Sequence, residues 1–372
     1  MRTQVAIVQR RLTHYRLPLF ELMRAALAKE DVELRLLVGR PTPEELDKKD
    51  EGFLDWAEPV PTRYLLDGRI CWLNFGPLLR DETKLVIVPH ENKLLYNLVA
   101  LAARRQRRLA FWGHGRNMQS RHPEGARERF KRFTVRSPDW WFAYTQATVP
   151  ILEQAGFPAS KITVLHNAID TRSLEADWRE AHARRPALRA EFGLGAGPVG
   201  IYLGSLYDDK RLPFLFEACD AVRARVPDFE MLVVGDGPSR GEVEAFVAER
   251  PWARWLGMRR GAAKAQALAV SDVLLNPGLV GLGILDSFAC RVPMFTTDCG
   301  IHSPEICYLD NEVNGVITAN SVEAYVDAVV RALTQPAYLD ALRAGAERSA
   351  ETINIEAMAR NFTNGILRCL AS

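Results

Sequence analysis

The chain lacks most of the features that mark a specialised protein class. Its six cysteines, at 71, 219, 290, 299, 307 and 369, form no CxxC or Cys/His ligand spacing. That excludes a disulfide scaffold or a zinc site as the organising element and suits a reducing cytoplasm. No charge sign dominates: 48 Lys and Arg against 46 Asp and Glu leave +2, so nothing global calls for nucleic acid. No run approaches the roughly 18–20 apolar residues of a membrane-spanning helix. The N-terminal MRTQVAIVQRR is too poor in apolar residues for a signal peptide. No GxGxxG follows the first apolar run, which disfavours a NAD-dependent dehydrogenase. Internal repeats and low-complexity tracts are also missing. What remains is 372 residues, 48% hydrophobic and 25% charged, the composition and length of a soluble protein of about two domains.

Short β-branched or Leu-rich runs alternate with amphipathic stretches from the start: VAIV at 5–8, LRLLV at 34–38, LVIV at 85–88, LAFW at 109–112. The rhythm stops over 171–190, an Arg- and Ala-rich stretch without strand signals. It restarts with GIYLG (200–204), MLVVG (231–235), WLG (255–257), VLLNPG (273–278) and MFTTD (294–298). Apolar runs that alternate with helices, and do not themselves alternate in polarity, predict parallel sheets covered on both faces. The expected fold is therefore α/β, with two Rossmann-like doubly wound halves joined near 170–190. Between 101 and 140 eleven Arg or Lys face three Asp or Glu. This basic stretch, 103–136, is a candidate contact for anionic headgroups or a phosphate-bearing acceptor, or simply a solvated face. Trp112, Trp140, Trp141 and Phe142 beside it are expected mainly in the core.

Three segments of the second half carry candidate chemistry. Gly204 ends a strand, and Lys210 and Arg211 open the following helix, where the dipole favours acids; two cations there are best explained by a bound anion such as a diphosphate. Gly235 and Asp236 form a second strand-to-helix turn, in which Asp236 also fits a capping role. In NPGLVGLGILDSFA, Gly278, Gly281 and Gly283 fall within six residues after a strand, where main-chain amides can cradle phosphate or sugar hydroxyls. Asp286 lies one turn into the helix, a place from which a carboxylate can accept ribose hydroxyls. Glu305 is a second candidate carboxylate or a helix cap. In the first half, His14 and Arg16 sit in a strand-to-helix loop, and His114 stands between two glycines at a strand end. His90 is a weaker candidate; His122, His166 and His182 read as structural or surface.

These landmarks, in the order GSLYDDK, VVGDGP, WLG and PGLVGLGILDSFA followed by PEI, resemble those of a retaining GT-B glycosyltransferase of family 4. VLHNAID at 164–170 resembles the family segment that leads to the interdomain linker. The resemblance implies an acceptor-binding domain over 1–170, a linker over 171–190, a nucleotide-sugar domain over 191–349, and a terminal helix over 350–372 packing back on the first domain. It assigns Lys210 to the diphosphate, with Ser205 where the family has Arg and Arg211 as a substitute cation. Donor contacts fall on Gly204, Ser205, Gly235, Asp236, Gly278, Gly281, Leu282, Gly283, Ile284, Leu285, Asp286 and Glu305. Of the family's two acids, the second is Asp286 and the first falls on Gly278, so its role passes to main-chain amides of 279–283 or the sugar is read differently. His114 corresponds to the family histidine at the donor sugar, and His14, Arg16 and Arg116 are the acceptor-side candidates.

Catalysis, on this resemblance, is front-face displacement with retention in the cleft between the halves. No cofactor or metal is expected, and a UDP-sugar is the favoured donor. The implied acceptor is a glycan or lipid-linked glycan in bacterial surface polysaccharide or lipopolysaccharide synthesis. The expected place is the cytoplasm, peripheral on the inner membrane through the basic region. Two other readings stand beside it: a GT-B nucleotide-sugar epimerase, and a catalytically silent nucleotide-binding scaffold.

Overall fold

A computed structural model describes residues 2–46, 50–91, 93–102, 107–115 and 134–372. The chain divides into two compact units, 1–170 together with 354–372, and 171–353.

Unit 1 contains β1 (Thr3–Gln9), β2 (Val32–Val38), β3 (Glu58–Pro59), β4 (Thr62–Leu65), β5 (Ile70–Leu73), β6 (Thr83–Pro89), β7 (Arg108–Gly113), β8 (Trp140–Ala143) and β9 (Ile162–Val164). Seven of these form a parallel sheet in the order β3-β2-β1-β6-β7-β8-β9, while β4 and β5 pair as a separate antiparallel hairpin. Val5 to Val8 and Leu85 to Val88 are buried throughout, because helices cover both faces and no position along these central runs meets water. Trp112, Trp140, Trp141 and Phe142 are core residues. The helix Ile355–Ala371 completes this unit. Its buried face repeats every three to four residues as Ile355, Met358, Phe362, Ile366 and Cys369. Phe362 stacks on Phe142 at 4.5 Å and meets Trp112 edge-on at 5.0 Å.

Unit 2 contains β10 (Val199–Leu203), β11 (Glu230–Val234), β12 (Ala253–Trp255), β13 (Val273–Leu275), β14 (Met294–Thr297) and β15 (Gly315–Thr318). All six are parallel, in the order β12-β11-β10-β13-β14-β15. In this doubly wound order the chain reverses direction across the sheet between β10 and β13, where ligands bind at the strands' C-terminal ends. The core under the sheet is built from Tyr202, Leu215, Phe229, Met231, Phe295 and Tyr325.

Residues 171–190, expected as a linker, are instead the helices Arg172–Ala183 and Arg185–Glu191 of unit 2. Leu174, Trp178 and Ala181 recur at helical spacing and are buried, which fixes the first helix against the helix Gly261–Ala269. Arginine on its outer face hid that spacing. The last crossing also comes later than 350: the helix Pro336–Thr352 stays with unit 2, and the chain passes to unit 1 at 354. No helix among the described residues is long and apolar enough to cross a membrane.

Candidate functional site

The candidate residues of the second half gather at the C-terminal ends of β10, β11, β13 and β14. The loop after β10 is braced from within. Tyr202 donates its hydroxyl to Ser205 O at 2.8 Å, and Leu206 N–H donates to Asp236 O at 3.0 Å. Gly235 and Gly237 have φ of +149° and +156°, and a β-carbon on either would fall within 1.8 and 2.3 Å of the carbonyl oxygens of Gly204 and Leu206. These glycines therefore let one turn lie on the other. Asp236 serves its own turn, accepting from Gly237 N–H at 2.8 Å. Ser205 is exposed at the rim.

The short turn Asp208–Lys210 then runs into the helix Leu212–Arg225, with Arg211 between them in the left-handed region at φ 56°, ψ 47°. Lys210 Nζ donates to Leu279 O at 2.5 Å, and Leu279 N–H donates back to Asp209 O at 2.8 Å. Asn276, at the end of β13, donates its side-chain amide to the same Leu279 carbonyl at 3.2 Å. Lys210 thus ties the loop after β10 to the loop after β13, and Asn276 braces the second loop from within. Burial pulls the Lys210 ammonium down to about 8, with neighbouring Asp209 opposing the shift. Arg211, expected as a second diphosphate cation, is turned to the protein: Nη1 donates to Pro277 O at 3.1 Å and Thr297 Oγ1 at 2.9 Å, and the guanidinium lies 4.4 Å from the Phe214 ring centroid.

Gly278 is packed, not vacant. A β-carbon there would stand 2.3 Å from Asp209 O and 2.6 Å from Lys210 O. The amides of 279–283 divide into two groups. Those of Leu279 and Val280 are spent, the second on His302 Nδ1 at 3.1 Å. Those of Gly281, Leu282 and Gly283 have no acceptor among the described residues. Ile284 and Leu285, expected as donor contacts, are buried in the helix Gly283–Ala289 and bond back to Gly281 O and Leu282 O, so they supply packing.

Asp286, one turn in, is buried and accepts from Lys264 Nζ at 2.9 Å. Glu305 is buried in the turn Pro304–Tyr308. His302 links the ends of β13 and β14: with Nδ1 accepting from Val280, its Nε2–H donates to Thr297 O at 2.7 Å and lies 3.5 Å from Cys299 Sγ. Burial alone would raise the thiol and lower the imidazole. Their mutual contact, together with Ile301 and Thr297 at the thiol and with Thr297 O and Asp298 at the imidazole, more than offsets this, bringing Cys299 down to about 7 and His302 up.

Sequence reading missed Lys264, Asn276, Thr297 and His302. Asn276 and Thr297 lie inside segments already singled out, and His302 just before PEI; Lys264 sits 22 residues before its partner in a helix with no motif.

In unit 1, His114 follows β7 between Gly113 and Gly115, half-buried, with its ring 4.3 Å from that of Tyr144. His14 is exposed and its Nδ1 lies 3.2 Å from Asp50 O. Arg16, expected to face an acceptor, is buried instead, donating to Asn167 Oδ1 at 2.7 Å and Ala168 O at 3.4 Å. Its guanidinium also lies against Tyr15, Trp112 and Tyr144, which makes it part of the core. His90, too, is a core residue, its Nε2 3.0 Å from Thr134 Oγ1. Arg104, Arg105, Arg116 and the basic residues 121–132 lie outside the described residues. Of the rest of that stretch, Arg107 donates to Arg80 O, Arg108 to Cys369 O and Ser372 Oγ, and Arg136 to Ala155 O. Among the described residues no group of three His, Cys, Asp or Glu could hold a metal ion.

Residues 197–335 match the family model described as glycosyl transferases group 1, and residues 20–173 match the model of glycosyltransferase family 4. A GDP-mannose-dependent alpha-(1-6)-phosphatidylinositol monomannoside mannosyltransferase of Mycolicibacterium smegmatis is 30% identical over 48% of this chain and 49% of its own. An alpha-D-kanosaminyltransferase of Streptomyces kanamyceticus is 23% identical over 49% of this chain and 48% of its own. The chain thus spans about half the length of the curated relatives it matches. Anabaena HepE in complex with UDP shares the fold over 99% of this chain and 100% of its own, with a TM-score of 0.69 at 16% identity.

Proposed function

The chain belongs to the family-4, group 1 glycosyltransferases of GT-B fold, and from that premise we propose that it moves a sugar from a nucleotide-sugar donor to a glycan or lipid-linked acceptor with retention at the anomeric carbon. A UDP-sugar is the donor we favour, and bacterial surface polysaccharide or lipopolysaccharide is the product class.

The observation that carries the proposal is the meeting of Lys210 with Leu279. It joins the loops after β10 and β13 at the point where an open parallel sheet takes its ligand. Lys210 is the cation for the departing diphosphate, whose growing charge is the main feature of the transition state to be stabilised. The amides of Gly281, Leu282 and Gly283, which have no acceptor among the described residues, add neutral donors, and Asp286 accepts the ribose hydroxyls. Arg211 acts at one remove, by holding Pro277 and so the glycine loop. His114 is the proposed contact for the donor sugar and His14 for the acceptor. Front-face displacement requires no protein nucleophile and no metal. Peripheral contact with an anionic membrane through the basic region 103–136 rests on Arg104, Arg105 and the basic residues of 116–132, since Arg107, Arg108 and Arg136 are engaged within their own unit.

The test is thermal stabilisation by a panel of nucleoside diphosphates and their sugars, on the wild type and on Lys210→Ala. A ligand at 100 times its Kd adds about 2.7 kcal/mol. A shift with one base, lost in the variant, supports the diphosphate site and names the donor class. GDP belongs beside UDP in the panel because one relative is named for GDP-mannose. Absence of a shift with every nucleotide would favour a silent scaffold. Donor converted without an acceptor would favour an epimerase.

A further inference from the structure

The opposite edge of the unit 2 sheet holds a second, differently built depression. A groove of about 590 Å3 opens where the strands begin, next to Pro198 before β10 and Asp272 before β13. Its charged lining is Arg185, Arg189 and Arg343 against the single carboxylate Asp272. Arg185 and Arg343 both bond to Asp272 Oδ1, at 2.9 and 2.8 Å. Asp340, which meets Arg343 at 3.1 Å, is largely in solvent and screens little. The other acceptors of these arginines are neutral carbonyls: Ala269 and Ser271 for Arg185, and Gly195, Gly197 and Val270 for Arg189. Carbonyls fix the guanidinium planes without cancelling their charge.

Three further observations point the same way. A guanidinium carries five N–H groups, and the three arginines donate nine hydrogen bonds to the described residues, which leaves about six N–H groups without an acceptor among them. The helix Pro336–Thr352 starts on the groove with no acid in its first turn and no side-chain cap, so its positive end is unbalanced as well. Nearby, Arg189 is held below its usual value by burial and then by Arg185, against Asp272 and Glu230, and His182 by burial and then, against the Ala269 carbonyl, by Arg185, Arg343 and Arg291. The charges facing His182 are all cationic. The remaining wall is apolar, from Leu194, Leu333 and Leu339.

We propose that this groove is a second binding site, separate from the candidate donor site, for a small phosphate-bearing anion with an apolar portion. Guanidinium forks match phosphate oxygens in geometry as well as charge. The site is placed to be felt elsewhere in the unit: Asp272 Oδ2 accepts from Val199 N–H at 2.9 Å, so the carboxylate shared by the two arginines also pins β10 to β13. A phosphate that draws Arg185 or Arg343 away from Asp272 loosens that pin at the foot of the two strands whose other ends carry Gly204 and Asn276.

The probe is inorganic pyrophosphate, titrated by calorimetry at fixed ionic strength. Lys210→Ala serves as background so that the donor site does not contribute. Pyrophosphate is expected to bind this protein at one site. Pro336→Glu, which keeps every arginine and places an acid at a helix start that tolerates one, is expected to weaken binding roughly tenfold or more with an unchanged Tm. Arg189→Gln with Arg343→Gln is expected to do the same, with the melting curve as its folding control. No binding in the Lys210→Ala background, or binding indifferent to Pro336→Glu, overturns the proposal. Neither result bears on the nucleotide panel, which reads Lys210 in the wild type.

Discussion

Gly278 and Asp209 are in main-chain contact so close that no side chain fits between them: a β-carbon on Gly278 would lie 2.3 Å from Asp209 O. The motif resemblance to the family places a sugar-contacting acid at Gly278, as though that acid had been deleted. The structure gives the glycine a reason of its own. Leu279 N–H to Asp209 O and Lys210 Nζ to Leu279 O draw the two loops together over it.

Gly278→Ala is therefore expected to destabilise by about 1–3 kcal/mol, the range for overpacking against a neighbour that cannot rotate away. Gly278→Glu should cost at least as much and leave nucleotide stabilisation lost, not improved. Denaturant unfolding with and without the nucleotide checks both. A Gly278→Glu protein with wild-type stability and higher activity would mean that the loops part readily and that the site had merely lost its acid.

Lys210 gives a pH prediction with a definite sign. Its ammonium is lowered by burial to about 8 from an ordinary 10.5. The folded protein releases that proton more easily than the unfolded chain, so this group's contribution to stability rises with pH between about 8 and 10.5. Binding goes the other way, because the diphosphate needs the charged form. Nucleoside diphosphate affinity should hold below about pH 8 and fall close to tenfold per unit above it, with the break absent in Lys210→Ala. A flat affinity profile from pH 7 to 10 would show that Lys210 does not carry the diphosphate.

Much of this was legible in the sequence, and the reasons differ by region. Strands buried on both faces announce themselves as apolar runs, so β1, β2, β6, β7, β10, β11, β13 and β14 could be read directly, whereas the run WLG at 255–257 meets β12 only at Trp255 because Arg254 interrupts the strand's apolar pattern. β8 was not, because WWFA resembles a patch of core aromatics. β9 and β15 were not read as strands. At the site, Lys210 and Asp286 were visible as types at spacings, but what holds them was not: the partner of Lys210 is a carbonyl, which no sequence displays, and the partner of Asp286 is a lysine from another helix. Arg16 was misread because a loop arginine beside a histidine looks like a ligand contact, and only the fold shows Asn167 and three rings closing around it.

Arg211 combines strain with service. An L-residue in the left-handed region costs about 1–2 kcal/mol, which glycine avoids. Arg211→Gly should thus be more stable than Arg211→Ala by roughly 1 kcal/mol, while both lose the bonds to Pro277 O and Thr297 Oγ1. If the role is to hold the loop, both variants should weaken nucleotide binding, and a lysine, which lacks the fork, should rescue poorly. Full recovery with Arg211→Lys would indicate a plain charge at the diphosphate.

Lys264 and Asp286 test whether the buried carboxylate belongs to the fold or to the ligand. The side chain of Asp286 is 11% exposed and its ammonium partner 23%, so removing either leaves the other charge partly buried and unpaired. In a double-mutant cycle of Lys264→Met and Asp286→Leu, a coupling of roughly 1–3 kcal/mol is expected, with the double variant more stable than the sum of the singles. Stability alone does not assign the function, so nucleotide binding is read on the same four proteins. If Asp286 accepts ribose hydroxyls, the double variant regains fold but not affinity, and a 2′-deoxynucleotide loses its penalty only where Asp286 is gone. If the double variant binds the ribonucleotide like the wild type, the carboxylate is a structural partner of Lys264 and the ribose is held elsewhere.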